Sequence, residues 1–139
     1  MTRDDVVFVD GVRTPFGRAG EKGMYWQTRA DDLAVKALSG LLERNPSLPK
    51  DRIDEVAIAA TTQTGDQGLT LGRTVGMLAG LPVSVPGYAL DRMCAGAMTA
   101  VTTAVGSSVV MTVAASRAAT SSAGPARCAT STPSARRAW

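Results

Sequence analysis

Gly87-Tyr88-Ala89-Leu90-Asp91-Arg92-Met93-Cys94-Ala95-Gly96-Ala97-Met98-Thr99-Ala100-Val101 is the stretch on which the fold turns. After Pro86, its first four residues read as a short strand. From Cys94 onward the side chains are small, with few polar groups and no charge, the composition of a helix buried among other elements. Cys94 therefore falls at a strand-to-helix turn. A cysteine in the first turn of a helix meets unpaired backbone N–H groups and the positive end of the helix dipole, which favour thiolate over thiol. The geometry is analogous to the nucleophile elbow of hydrolases, where a sharp turn projects the nucleophile from the sheet beside N–H groups that can receive an oxyanion. By position alone an ordinary buried cysteine is the commoner reading.

Upstream, the pattern alternates strand and helix. Val6-Val7-Phe8-Val9, closed by Asp10-Gly11, reads as a first strand buried on both faces. An acidic N-cap at Asp31 or Asp32 opens an amphipathic helix with the stripe Leu33, Ala34, Ala37, Leu38, Leu41, Leu42, stopped by Asn45-Pro46. Ile53, Val56, Ala57, Ile58 and Ala59 form a second strand, followed by a polar loop with Gly65, Gly68 and Gly72. Thr70 is placed to cap a helix carrying Leu71, Val75, Leu78 and Ala79, which ends near Gly80 and Pro82. The expected fold is α/β, a mostly parallel sheet in βαβαβ order with right-handed crossovers and a buried helix after Cys94. Gly68, Gly72, Gly76 and Gly80 recur every four residues, a spacing that suits close helix packing better than phosphate binding. No Walker lysine pattern and no dinucleotide fingerprint is present.

Composition narrows the function. The 139 residues are 45% apolar and 4% aromatic, so one core of Val, Ala, Leu and Met is expected. The net charge of +3 is unevenly spread. Residues 1–106 carry three Lys and eight Arg against all 12 acidic residues, a net −1, while Arg117, Arg127, Arg136 and Arg137 give the tail +4. The body therefore has no basic face for nucleic acid. No apolar run reaches membrane-spanning length, and the acidic start predicts a cytoplasmic protein. Cys94 and Cys128 resemble neither a disulfide framework nor a metal-ligand set, so no metal is expected. The chain has no histidine, so any Cys-His pair needs a residue from elsewhere.

Three segments together carry a resemblance. Val83-Ser84-Val85-Pro86 through Asp91-Arg92-Met93-Cys94-Ala95-Gly96-Ala97-Met98-Thr99-Ala100 resembles the acylated-cysteine signature of the thiolase family. Val9-Asp10-Gly11-Val12-Arg13-Thr14-Pro15-Phe16-Gly17 is similar to the loop with which these enzymes open, and Gln67-Gly68-Leu69-Thr70-Leu71-Gly72-Arg73 with Leu78-Ala79-Gly80 to the segment before the nucleophile strand. Asp91 stands where Asn is frequent in the family. The resemblance implies an acetyl-CoA C-acyltransferase of fatty-acid or related acyl-CoA metabolism, in which Cys94 attacks a 3-ketoacyl-CoA. Acyl-CoA and coenzyme A are then substrates, no cofactor is held, and a homo-oligomer, dimer or tetramer, is expected of the complete enzyme. Family members also use histidines and a second cysteine from later in the chain. Cys128 lacks the Gly-rich setting of that cysteine. Arg13 and Arg18 could meet CoA phosphates, though solvated or interface positions suit them better.

The resemblance covers residues 6–105, so the chain divides into a partial thiolase N-terminal domain, 1–106, and a tail, 107–139. In the tail 24 of 33 residues are Ala, Ser, Thr or Arg, with no stripe or turn pattern, which reads as out-of-frame translation or as disorder. Two other classes compete. A decarboxylating ketoacyl synthase also carries a cysteine at such a turn, but the opening loop and the Gln67–Arg73 segment favour thiolase. A non-catalytic, truncated or subunit-binding fragment is favoured by the missing histidine.

Overall fold

The computed structural model describes residues 6–107 and, as backbone, 111–115. Within them the elements run α1 (Ala30–Arg44), β1 (Glu55–Ala59), α2 (Leu71–Leu78), β2 (Gly87–Leu90), α3 (Gly96–Ser107) and β3 (Met111–Ala115). The three strands are parallel in the order β2-β1-β3, with Val56 opposite Gly87 and Thr112. The fold is α/β with a parallel sheet, as expected.

β1 is the centre, and its run Val56-Ala57-Ile58-Ala59 is buried throughout because both faces are covered. Strand alternation sends Val56 and Ile58 to one face and Ala57 and Ala59 to the other. On the first face the stripe of α1 (Ala34, Leu38, Leu42) and Leu71 and Val75 of α2 close over Val56 and Ile58 to form the core, joined by Ile53, Leu81 and Val85. α2 lies close to the strands because Gly72 has no side chain, since a Cβ there would collide with the carbonyls of Tyr88 and Val56. Gly76 also lies over Val56, but at ordinary packing distance, so a Cβ there would meet the Val56 and Leu81 side chains without a clash. The packing role expected of these glycines holds for Gly72 and Gly76, whereas Gly68 lies in the preceding loop and Gly80 adopts φ +79° just after the helix.

Several expectations are corrected. Val6–Val9 forms no strand, and Phe8 is 86% exposed. Both edges of β1 are already taken, by β2 and by β3, so no place beside the second expected strand is left for this run. The βαβαβ order survives with other members, β1-α2-β2-α3-β3, because residues 111–115, to which the sequence reading gave no element, pair along the whole of β1. α1 starts before the aspartates expected to cap it. Arg29 occupies the cap position, and Asp66 from the loop after β1 accepts the Ala30 N–H at 2.7 Å. Asp31 and Asp32 lie in the first turn, where their charge complements the dipole, and Asp31 pairs with Arg29 at 2.6 Å. Thr70 precedes α2 but makes no side-chain cap, being itself left-handed at φ 51°.

The helix after Cys94 is present but is not buried among other elements. Gly96 and Ala100 are buried, Gly96 against Ala59 on the second face of the sheet, while Met98 is 66% and Val101 46% exposed. Small side chains permit close approach to a sheet on one side, yet among the described residues nothing packs over the opposite side. No helix among them is long and apolar enough to cross a membrane.

Candidate active site

The site is assembled at the carboxyl ends of β1 and β2, the end of a parallel sheet where ligands of open α/β folds bind. β2 stops at Leu90, whose carbonyl still accepts the Ala60 N–H at 3.1 Å, and the chain then turns sharply. Asp91 Oδ1 accepts the Met93 N–H at 3.0 Å, an Asx turn. Met93 takes a left-handed conformation, φ 45°, which a non-glycine side chain seldom adopts. The Arg92 carbonyl accepts the Ala95 N–H at 3.0 Å, closing a 3-10 turn over Met93–Ala95 that runs directly into α3. Cys94 is the middle residue of that turn and is exposed.

Two contacts hold the turn against the rest of the fold. Arg92 Nη1 donates to Thr99 Oγ1 at 3.0 Å, and Thr99 Oγ1 donates to the Ala95 carbonyl at 3.2 Å, so Arg92 and Ala95, which bracket Met93 and Cys94, are both tied to Thr99 near the start of α3. Gly96 sits so near β1 that a Cβ would lie 2.8 Å from Ala59 Cβ. Any larger residue would push the start of α3, and Cys94 with it, away from the strand ends.

The strand-to-helix placement expected of Cys94 is observed, with the cysteine in the short turn just before α3 and not in the first turn of that helix, and its side chain is exposed. Arg13 lies over the Phe16 ring, 4.5 Å from its centroid, in the exposed opening segment. Cys128 lies outside the described residues, as does the tail reading apart from residue 107 and the backbone of β3. Sequence reasoning missed the anchoring role of Asp91, although an Asp two residues before an acceptor-seeking N–H is a legible Asx-turn signal. It also missed the left-handed pair Leu69 and Thr70 on the loop that leaves the same end of β1, and no residue type there announces it.

The chain matches the family model of the thiolase N-terminal domain over residues 6–117, a span that includes β3 and extends past the motif-level resemblance. It is 44% identical over 100 residues to the beta-ketoadipyl-CoA thiolase of Pseudomonas putida, covering 72% of this chain and 24% of that protein. The enzyme of that name from Pseudomonas aeruginosa is 45% identical over 104 residues, 75% of this chain and 25% of the relative. A 3-ketoacyl-CoA thiolase of Saccharophagus degradans is 42% identical over 100 residues, 72% and 25%. The match thus spans about a quarter of each relative's length. With family match, parallel α/β sheet and cysteine-bearing turn in agreement, the chain belongs to the thiolase family and represents its N-terminal domain.

Proposed function

We propose that this chain carries the acyl-accepting cysteine of an acetyl-CoA C-acyltransferase acting on 3-ketoacyl-CoA. The observation that supports it is the exposed Cys94 in a strained turn at the carboxyl ends of β1 and β2, inside the stretch matched to the thiolase N-terminal domain. In the forward direction the Cys94 thiolate adds to the C3 carbonyl of the ketoacyl-CoA. The C2–C3 bond then breaks, its electron pair leaving on C2 as the enolate of acetyl-CoA, which takes up a proton. The acyl group stays on Sγ as a thioester until the thiol of a second CoA, losing its proton, displaces it and restores the free cysteine. The chain's own contribution is the nucleophile and the rigid turn that holds it. A fatty-acid or related acyl-CoA pathway, the cytoplasm, and a homo-oligomeric enzyme are parts of the same reading. So is an out-of-frame origin for the Ala/Ser/Thr/Arg-rich tail, confined to the residues after 117 where the family match ends, which resequencing of the gene tests: another reading frame should encode a thiolase continuation.

A positioned general base contributes about a hundred- to ten-thousand-fold to such a reaction. With no histidine in 139 residues, this chain by itself is expected not to turn over. The test pairs two measurements on folded protein. Iodoacetamide should modify Cys94 faster than Cys128 at neutral pH, and equal rates would make Cys94 a merely structural cysteine. Thiolysis of acetoacetyl-CoA should be undetectable, and turnover abolished by Cys94→Ala would establish the nucleophile while refuting the need for further groups.

A further inference from the structure

We propose that Asp91 is a positioning residue for Cys94, its carboxylate holding Met93 in the left-handed conformation that sets where Cys94 stands. The proposal rests on the reading of Cys94 as the nucleophile and deepens it. A non-glycine residue keeps a positive φ only where its surroundings over-determine it. Met93 is 68% exposed, so packing of its own side chain does not supply that constraint. The local tethers are backbone and polar: Asp91 Oδ1 on the Met93 N–H, the Arg92 carbonyl on the Ala95 N–H, and Arg92 Nη1 on Thr99. Of these, the first acts on Met93 itself. It fixes the peptide N–H at the residue whose φ is strained, one position before Cys94. Losing it lets Met93 relax toward negative φ, and the following residue swings with it while β2 and α3 stay in place.

The experiment uses the full 139-residue chain and reads the rate of iodoacetamide modification at Cys94 relative to Cys128 by peptide mapping. Asp91→Asn keeps an acceptor oxygen at Oδ1 and should leave the ratio within about twofold of the unsubstituted chain, whereas Asp91→Ala should lower it about fivefold, the equilibrium weight of one such hydrogen bond. Adding Met93→Gly to Asp91→Ala should restore the ratio, because glycine takes up a positive φ without a tether. A role confined to general stability would not respond in this way, since Met93→Gly restores no contact. An unchanged ratio in Asp91→Ala, or no rescue by Met93→Gly, overturns the positioning role while leaving the nucleophile reading intact. A ratio of one in the unsubstituted chain removes the nucleophile reading and this proposal with it. If Asp91→Ala fails to fold, amide exchange in the unsubstituted chain decides: slowed exchange at Met93 supports the tether, and exchange at the free-peptide rate overturns it.

Discussion

The two faces of the sheet are built differently. One is closed by α1 and α2 over Val56 and Ile58 with long aliphatic side chains, Leu38, Leu71 and Val75 among them, each at most 2% exposed. The other is met by α3, whose contribution to the buried interior is Gly96 and Ala100. The first face can supply most of the hydrophobic stabilisation, at roughly 25 cal/mol per Å² of apolar area buried. The second holds Cys94 on a small-residue helix that makes little such contribution. The residues that keep the domain folded and those that place the cysteine are therefore largely separate, joined through β1, whose alternating side chains serve both faces.

That separation predicts unequal mutational costs. Leu38→Ala or Ile58→Ala should lose about 2–5 kcal/mol, enough to unfold a small domain outright, as measured by denaturant melts. Met98→Ala on the exposed side of α3 should stay within about 0.5 kcal/mol. Comparable losses at both positions would show that α3 is packed as tightly as α1. Gly72→Ala drives a Cβ into two strand carbonyls and should approach the core truncations in cost, whereas Gly96→Ala meets Ala59 Cβ and should act mainly on Cys94 by displacing the start of α3. The readout is a melt beside Cys94 alkylation, with Gly72→Ala moving the melt and Gly96→Ala the alkylation. Asp66→Ala removes the acceptor that caps α1 from another loop and should cost about 1 kcal/mol.

The first face was the legible one. A leucine stripe of helical period and a β-branched run of strand length each encode their element locally, and the core residues followed from them. The cysteine's turn was legible because strand, break and small-residue helix are contiguous. What failed was non-local. Val6–Val9 has the composition of a buried strand, but whether it becomes one depends on which segment takes the free edge of β1, and residues 111–115 take it. The cap on α1 comes from Asp66, 36 residues away, and no local pattern around Ala30 contains it. The burial of α3 was misjudged because apolar smallness shows only that a helix can be approached closely.

The opening segment sharpens the comparison at its smallest scale, being tied to the C-terminal end of α1 by polar contacts of Asp10 and Gly11. Asp10 Oδ2 accepts the Asn45 side-chain amide at 2.9 Å, and its Oδ1 accepts the Gly11 N–H at 2.7 Å and Arg44 Nη2 at 3.1 Å, at the C-terminal end of α1. The hydrogen bond from Asn45 above all, then those from Gly11 and the Arg44 charge, holds the Asp10 carboxyl below its ordinary value of 3.8 against a partial opposing effect of burial. Because the folded value is depressed, the tether is fully present above about pH 4 and is lost as pH falls through the folded value. The Gly11 amide and Asn45 side-chain amide resonances should therefore move together on acidification, with a midpoint below 3.8. In Asp10→Asn that shared step should vanish. Since the Gly11 and Arg44 contacts are exposed and the Asn45 contact is only part-buried, their loss should leave the melting of the core nearly unchanged. A midpoint at or above the ordinary value would mean that Asp10 does not hold the segment to α1. A large drop in core stability on Asp10→Asn would mean instead that the opening segment is part of the packed face and not an appendage to it.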